Sequence, residues 1–196
     1  MSLLTTNLLT ISCDDQRCSG GINKLYLANK NDIASIEYDL TGDSGIFQSK
    51  GNGKVAAVVF KDEDAGFSTF EFADFTGVFN QDAPAENCNY AITQTFEGTY
   101  PCQSQLVREV IQVLQDGSCC GFIGIVEDLN GKRWLWGDLE KRRIKLMNSV
   151  TTTGANISDQ NNIVFTFECK TTKLAVEWPI EIRLLGGTIV PGTAAA

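Results

Sequence analysis

Apolar and polar positions alternate with a period of two along most of this chain, the pattern of half-buried strands. Residues 22–28 (INKLYLA) set Ile22, Leu25 and Leu27 among polar neighbours and predict a first strand. Asn31-Asp32 punctuates, and the apolar piece Ile33, Ile36 and Tyr38 fits either a helical turn or a strand. Residues 55–61 (VAAVVFK) predict a strand, and 68–75 (STFEFADF) its hairpin partner across a turn at 62–66. A further strand is expected at 89–96 after a loop at 80–87, and others at 142–149, 163–169 and 175–185. Pro179 lies inside the last of these; without an N–H it demands an edge position or a bulge.

One stretch changes period. Leu106, Val107, Val110, Ile111, Val113 and Leu114 recur at helical spacing, with Arg108, Glu109, Gln112 and Gln115 between them. Pro101 and Ser104 are start signals and Asp116-Gly117 is a stop. A helix of about a dozen residues is marginal alone in water, so this one must dock on the sheet.

The stretch 121–168 is the best specified. Asn130-Gly131 between two apolar runs predicts a two-residue type I′ hairpin turn, since both residues tolerate positive φ. That turn sets Asp128 opposite Arg133 as an ion pair, Glu127 opposite Trp134, Val126 opposite Leu135 and Ile125 opposite Trp136. One face then carries Ile123, Ile125, Trp134 and Trp136 as core; the other carries Phe122, Val126 and Leu135. The expected architecture is mainly β, a sandwich or barrel of about eight or nine strands with one flanking helix. Residues 22–185 form its single domain, 1–21 an extended arm and 186–196 a mobile tail.

The totals narrow the chemistry. A net charge of −8 opposes general affinity for nucleic acid or an anionic membrane. With no histidine, Ser-His and Cys-His nucleophile systems are excluded. The start, MSLLTTNLLT, has no basic n-region and is too short and polar to span a bilayer, so synthesis in the cytosol is expected. Seven cysteines (13, 18, 88, 102, 119, 120 and 169) lack paired zinc spacing, and reduced thiols serving as small hydrophobes are expected. Glu127, Asp128 and Asp138 gather near the hairpin without a hard-cation motif, and the glycine-rich segments lack phosphate-loop order. No catalytic residue, cofactor or metal is therefore expected.

Charge is unevenly distributed. Lys141, Arg142, Arg143 and Lys145 form a basic run, and Asp62, Glu63 and Asp64 an acidic one. They suit either two solvated faces or a head-to-tail contact between copies.

The order of parts resembles the tail tube (major tail) proteins of tailed bacteriophages. The matching pieces are the helix at 106–114, the hairpin GFIGIVEDLNGKRWLWGD, and TTTGANISDQNNIVFTFE; GGINKLYLANKNDI also looks like structural proteins of phages infecting Bacteroidetes. The resemblance implies hexameric rings stacked into a hollow tube in the virion tail, assembled in the bacterial host cytoplasm. Its partners would be copies of the chain and other tail or connector proteins, with DNA passing unbound and no membrane. The loop containing Gly42, Gly45, Gly51 and Gly53 and both terminal arms would make ring-to-ring contacts. Alternatives are a head-tail connector, tail terminator or head decoration protein, or a carbohydrate-binding sandwich using Trp134, Trp136 or Trp178.

Overall fold

The strand after Gly121 reads FIGIVED, apolar on both of its faces, and a strand of that kind needs cover on both sides. The computed structural model supplies it; residues 20–39, 54–72, 76–84, 91–101, 104–139, 143–153 and 161–193 are described. In chain order the elements are β1 (Ile22–Asn29), a 3-10 turn (Lys30–Asp32), β2 (Ile33–Asp39), β3 (Lys54–Phe60), β4 (Ser68–Glu71), β5 (Val78–Asp82) and β6 (Ile92–Pro101). Then come α1 (Gln105–Gly117), β7 (Phe122–Asp128), β8 (Arg133–Trp136), β9 (Lys145–Thr152), β10 (Asn162–Thr171), β11 (Val176–Glu177), β12 (Ile182–Arg183) and β13 (Ile189–Val190).

A five-stranded sheet, ordered β11-β8-β7-β1-β4, forms the middle layer. On one face lies the four-stranded antiparallel sheet β5-β6-β10-β9 together with α1. Leu25, Leu27, Phe122, Val126 and Trp136 from the middle sheet meet Phe96, Ile163, Phe165 and Phe167 there. The opposite face is covered by the two-stranded pieces β2-β3 and β12-β13. Tyr26, Ile123, Ile125 and Leu135 pack against Ile33, Val55, Phe67, Trp178 and Ile182 on that side. Each fully buried Leu, Ile or Phe contributes about 2 kcal/mol, so two cores rather than one hold the middle sheet. The fold is thus mainly β with a single described helix, a sandwich as the alternation implies.

The structure corrects several expectations. β3 pairs with β2 and β4 with β1, so the predicted hairpin of residues 55–61 with 68–75 does not form. Phe67 instead bridges to Leu184, just after β12. The loop expected at 80–87 begins inside a strand: Val78–Asp82 form the edge strand β5. Pro179 splits the last strand into β11 and β12, and Ile33–Asp39 is a strand. Residues 186–193, assigned to a mobile tail, contain β13 and are anchored through Pro191. The arm at 1–19 lies outside the described residues.

Candidate assembly surfaces

The hairpin turn is one residue longer than Asn130-Gly131 alone implies. The Gly131 N–H donates to Asp128 O and the Asp128 N–H to Lys132 O, with Gly131 at φ 78°. This is a three-residue loop closed by a glycine in the left-handed region. The Asp128 carboxylate accepts from the Asn130 and Lys132 N–H groups at 2.8 and 2.9 Å, which ties the loop shut. Glu127 therefore faces Arg133, Val126 faces Trp134 and Gly124 faces Trp136. A slip of one residue exchanges the faces. Trp134 and Trp136 share a face with Val126, whereas Ile123, Ile125 and Leu135 occupy the other.

The same slip replaces the expected surface pair of Asp128 and Arg133 with a buried one. Arg133 Nε donates to Glu127 Oε2 at 2.6 Å and an Arg133 terminal nitrogen donates to Pro191 O at 2.7 Å. The Tyr26 hydroxyl donates to the same Glu127 oxygen at 3.2 Å. Burial, reinforced by the negative Glu127, pushes the Tyr26 phenol up to about 12. Burial also raises the Tyr38 phenol, with Asp138 adding to it. Of the three carboxylates near the hairpin, Glu127 pairs with Arg133, Asp128 closes the turn and Asp138 lies near enough to Tyr38 to raise its phenol. Among the described residues no cluster of three or more acidic, Cys or His side chains is arranged to hold a metal.

Helix α1 starts where Ser104 accepts from the Val107 N–H, as expected of an N-cap. It closes at Ser118, whose hydroxyl donates to Leu114 O at 2.8 Å and accepts from the Leu146 N–H at 3.1 Å. That bridge fixes the helix end to β9. Val107 and Leu114 are buried and Val110 and Ile111 pack against the core, but Leu106 and Val113 are 70% and 68% exposed. All six apolar positions were expected to face the core; Leu106 and Val113, seven apart, instead form an outward stripe. Cys169 is a buried small hydrophobe, as expected, whereas Cys119 and Cys120 are exposed thiols just past the helix.

The four-stranded sheet has two outer edges. β5 pairs only with β6 and β9 only with β10 among the strands of the described residues, but the start of the β9 edge is taken by Ser118, which accepts from the Leu146 N–H, and by Phe122, which pairs with Ile144, so its open part is 148–152. Every neighbour is antiparallel, so β5 and β9 run in opposite directions. The sheet's outer face is mixed, carrying Thr93, Thr95, Glu97, Thr99, Thr166 and Glu168 together with Val78, Val150 and Val164, opposite the core-facing Gln94, Phe96, Phe165 and Phe167. Beside β5 a cavity of about 470 Å³ opens between the sheets, lined by Ile22, Val78, Phe79, Trp134, Leu174 and Ala175 among others. A second groove, about 730 Å³, runs between β3 and residues 178–181.

Of the charged positions singled out, Lys145 is exposed at the start of β9 and Arg143 donates to Cys120 O just before it. Asp62, Glu63 and Asp64 are exposed in the turn between β3 and β4. The backbone N–H of Lys61 donates to Asp32 O and that of Lys30 to Gly121 O, so this turn sits at the same end of the middle sheet as Arg143. Lys141, Arg142, Gly42, Gly45, Gly51 and Gly53 lie outside the described residues. The edge strand β5 and the outward helical stripe went unrecognised in the sequence; the stripe's signal was the offset of Leu106 and Val113 by one position from Val107 and Leu114.

No protein-family model, curated protein or solved structure matches the chain.

Proposed function

We propose that the chain is a structural subunit that joins copies of itself head to tail into rings, in the manner of a phage tail tube protein. The observation that carries this reading is the four-stranded sheet with two outer edges of opposite direction. A neighbour's β5 laid beside β9 continues the antiparallel pattern, and the new outer edge is again a β9. Repeating the same contact closes a ring if the rotation permits. Edge strands are otherwise a liability that proteins cover or blunt. The net charge of −8 suits a surface past which DNA moves without adhering. Stacked rings in a virion tail, with connector or terminator proteins at the ends, complete the reading.

Purified protein imaged by negative-stain microscopy should show rings or tubes. A species that stays monomeric at high concentration across a range of salt would overturn the proposal. Copies per particle separate a tube subunit, present in many stacked rings, from a connector present in one. Of the tryptophans a sugar-binding platform would use, Trp136 and Trp178 are each 1% exposed, which leaves the half-buried Trp134 alone to form one.

A further inference from the structure

The first described residues stand at the wall of a cavity. Gly20 and Gly21 line the 470 Å³ space beside β5, and Phe79 and Gln81 line it from the β5 side. One ladder bond closes its inner end: the Ile22 N–H donates to Gly77 O at 3.0 Å, in an antiparallel bridge. Beyond that bond the two segments part. Gly21, at φ 111°, turns its carbonyl to the Leu129 N–H, while β5 runs on to Asp82 with no strand on this side among the described residues. Because Gly77 points its carbonyl at Ile22, alternation turns the N–H and C=O groups of Phe79 and Gln81 to the same open edge.

Nineteen residues precede Gly20 in the sequence, and those next to it match this edge. The pairing of Ile22 with Gly77, carried outward in the same antiparallel sense, sets Ser19 across from Asn80, Cys18 across from Gln81 and Arg17 across from Asp82. Arg17 is the only cation among residues 1–23. Asp82 is exposed and joins no ion pair of the described residues. Gly20 and Gly21 carry no Cβ, so the chain can leave Leu129 there and turn back to β5 without strain.

We propose that residues 16–19 of the same chain add to β5 as an outer strand in the unassembled subunit, with Arg17 paired to Asp82 and Cys18 seated in the cavity. The added strand takes up the Phe79 and Gln81 backbone groups, as an extended segment does when it joins a sheet edge. Alternation sets Cys18 on the core side with Gln81, where the cavity walls carry Phe79 and Trp134 and suit a small apolar side chain. The docking stands on the bridge, the cavity and the charge pair. Its consequence rests on the ring reading: the edge that a neighbour's β9 would take is already held, and two strands cannot occupy one edge. The segment therefore blocks ring closure until it is displaced, and meanwhile covers an edge that invites wrong pairing.

The test uses the full chain carrying S19C/N80C, two positions that face each other in a non-hydrogen-bonded pair, where side chains approach closely enough for a disulfide. Light and heavy isotope preparations are mixed and treated with oxidised glutathione, and the linked peptides are read by mass spectrometry. A 19–80 link within single chains supports the docking. Links only between light and heavy chains place the segment on another copy and overturn the own-chain cover; no 19–80 link overturns the docking altogether. Without any cross-link, the Phe79 and Gln81 amides should exchange about 3-fold faster in Arg17→Glu than in the native chain, and R17E/D82K should restore the native rate. Equal rates in all three overturn the charge pair. The oxidised S19C/N80C chain should stay monomeric and form rings once reduced. Rings from the locked chain overturn the blocking role, whereas a linked chain that stays monomeric even after reduction overturns the ring reading and leaves the docking standing.

Discussion

Replacing Arg133 by methionine should be among the most damaging changes to this fold, and the buried ion pair gives the size of the loss. The Arg133 and Glu127 side chains are 9% and 11% exposed and sit at the edge of the core formed by Tyr26, Ile125 and Leu135. Removing the guanidinium leaves a carboxylate facing apolar side chains with only the Tyr26 hydroxyl for company. An uncompensated buried charge costs about 3–5 kcal/mol, and the freed Pro191 carbonyl adds about 1 kcal/mol. Partial water access draws the total to about 4 kcal/mol, a fall in Tm of about 10 °C for a chain of this length. Urea unfolding followed by tryptophan fluorescence measures it directly, since Trp134 and Trp178 flank Arg133. Amide exchange should also quicken at residues 189–193, whose anchor is lost. The double variant E127L/R133M, with both charges gone, should recover at least about 2 kcal/mol of the single variant's loss. If R133M costs under about 1 kcal/mol, or the double variant loses as much as the two singles added together, the pair is not acting as a buried charge pair and the reasoning fails.

Three other outcomes are expected. Tyr26 titrates at 10.0 when unfolded and at about 12 in the fold, so the folded state holds the proton more tightly between those values. Stability is therefore full below pH 10 and falls as pH rises towards 12, by up to about 3 kcal/mol from this group. Tyr38 shifts in the same direction, so the measure is the difference between wild type and Y26F, which should lose less over that window; equal slopes refute the assignment. Gly124→Ala should destabilise by about 1–3 kcal/mol, because a Cβ there would lie 2.5 Å from Trp136 Nε1 and 2.8 Å from Ile144 Cδ1; denaturant unfolding indistinguishable from wild type would contradict the close approach. Ser118→Ala removes the hydroxyl shared by Leu114 O and Leu146 N–H and should cost about 1–2 kcal/mol, with faster amide exchange at Leu146 as its local signature.

The sequence by itself determined the elements whose causes are local. Ser104 accepts from an N–H three residues away, the periodic apolar residues set the helix, and Asp128 to Gly131 close a turn through bonds spanning at most four residues. Alternation likewise determined the β class and most strand positions, because a half-buried strand must alternate. What alternation does not carry is the identity of a strand's neighbour. Residues 55–61 and 68–75 read as a hairpin, yet covering both faces of β7 and β1 requires β4 beside β1 and β3 beside β2. Register was undetermined for a related reason: Asn-Gly accepts a two-residue or a three-residue loop at little difference in local energy. The tertiary structure decided between them, since only the longer loop sets Glu127 against Arg133 and Tyr26 and delivers Trp136 to the core shared with Phe79 and Phe167. The assembly surfaces belong wholly to that second level. A row running from Leu146 through Phe167 and Phe96 to Phe79 joins residues from four separated strands, and only their pairing shows that β9 and β5 stand at opposite edges of the same sheet.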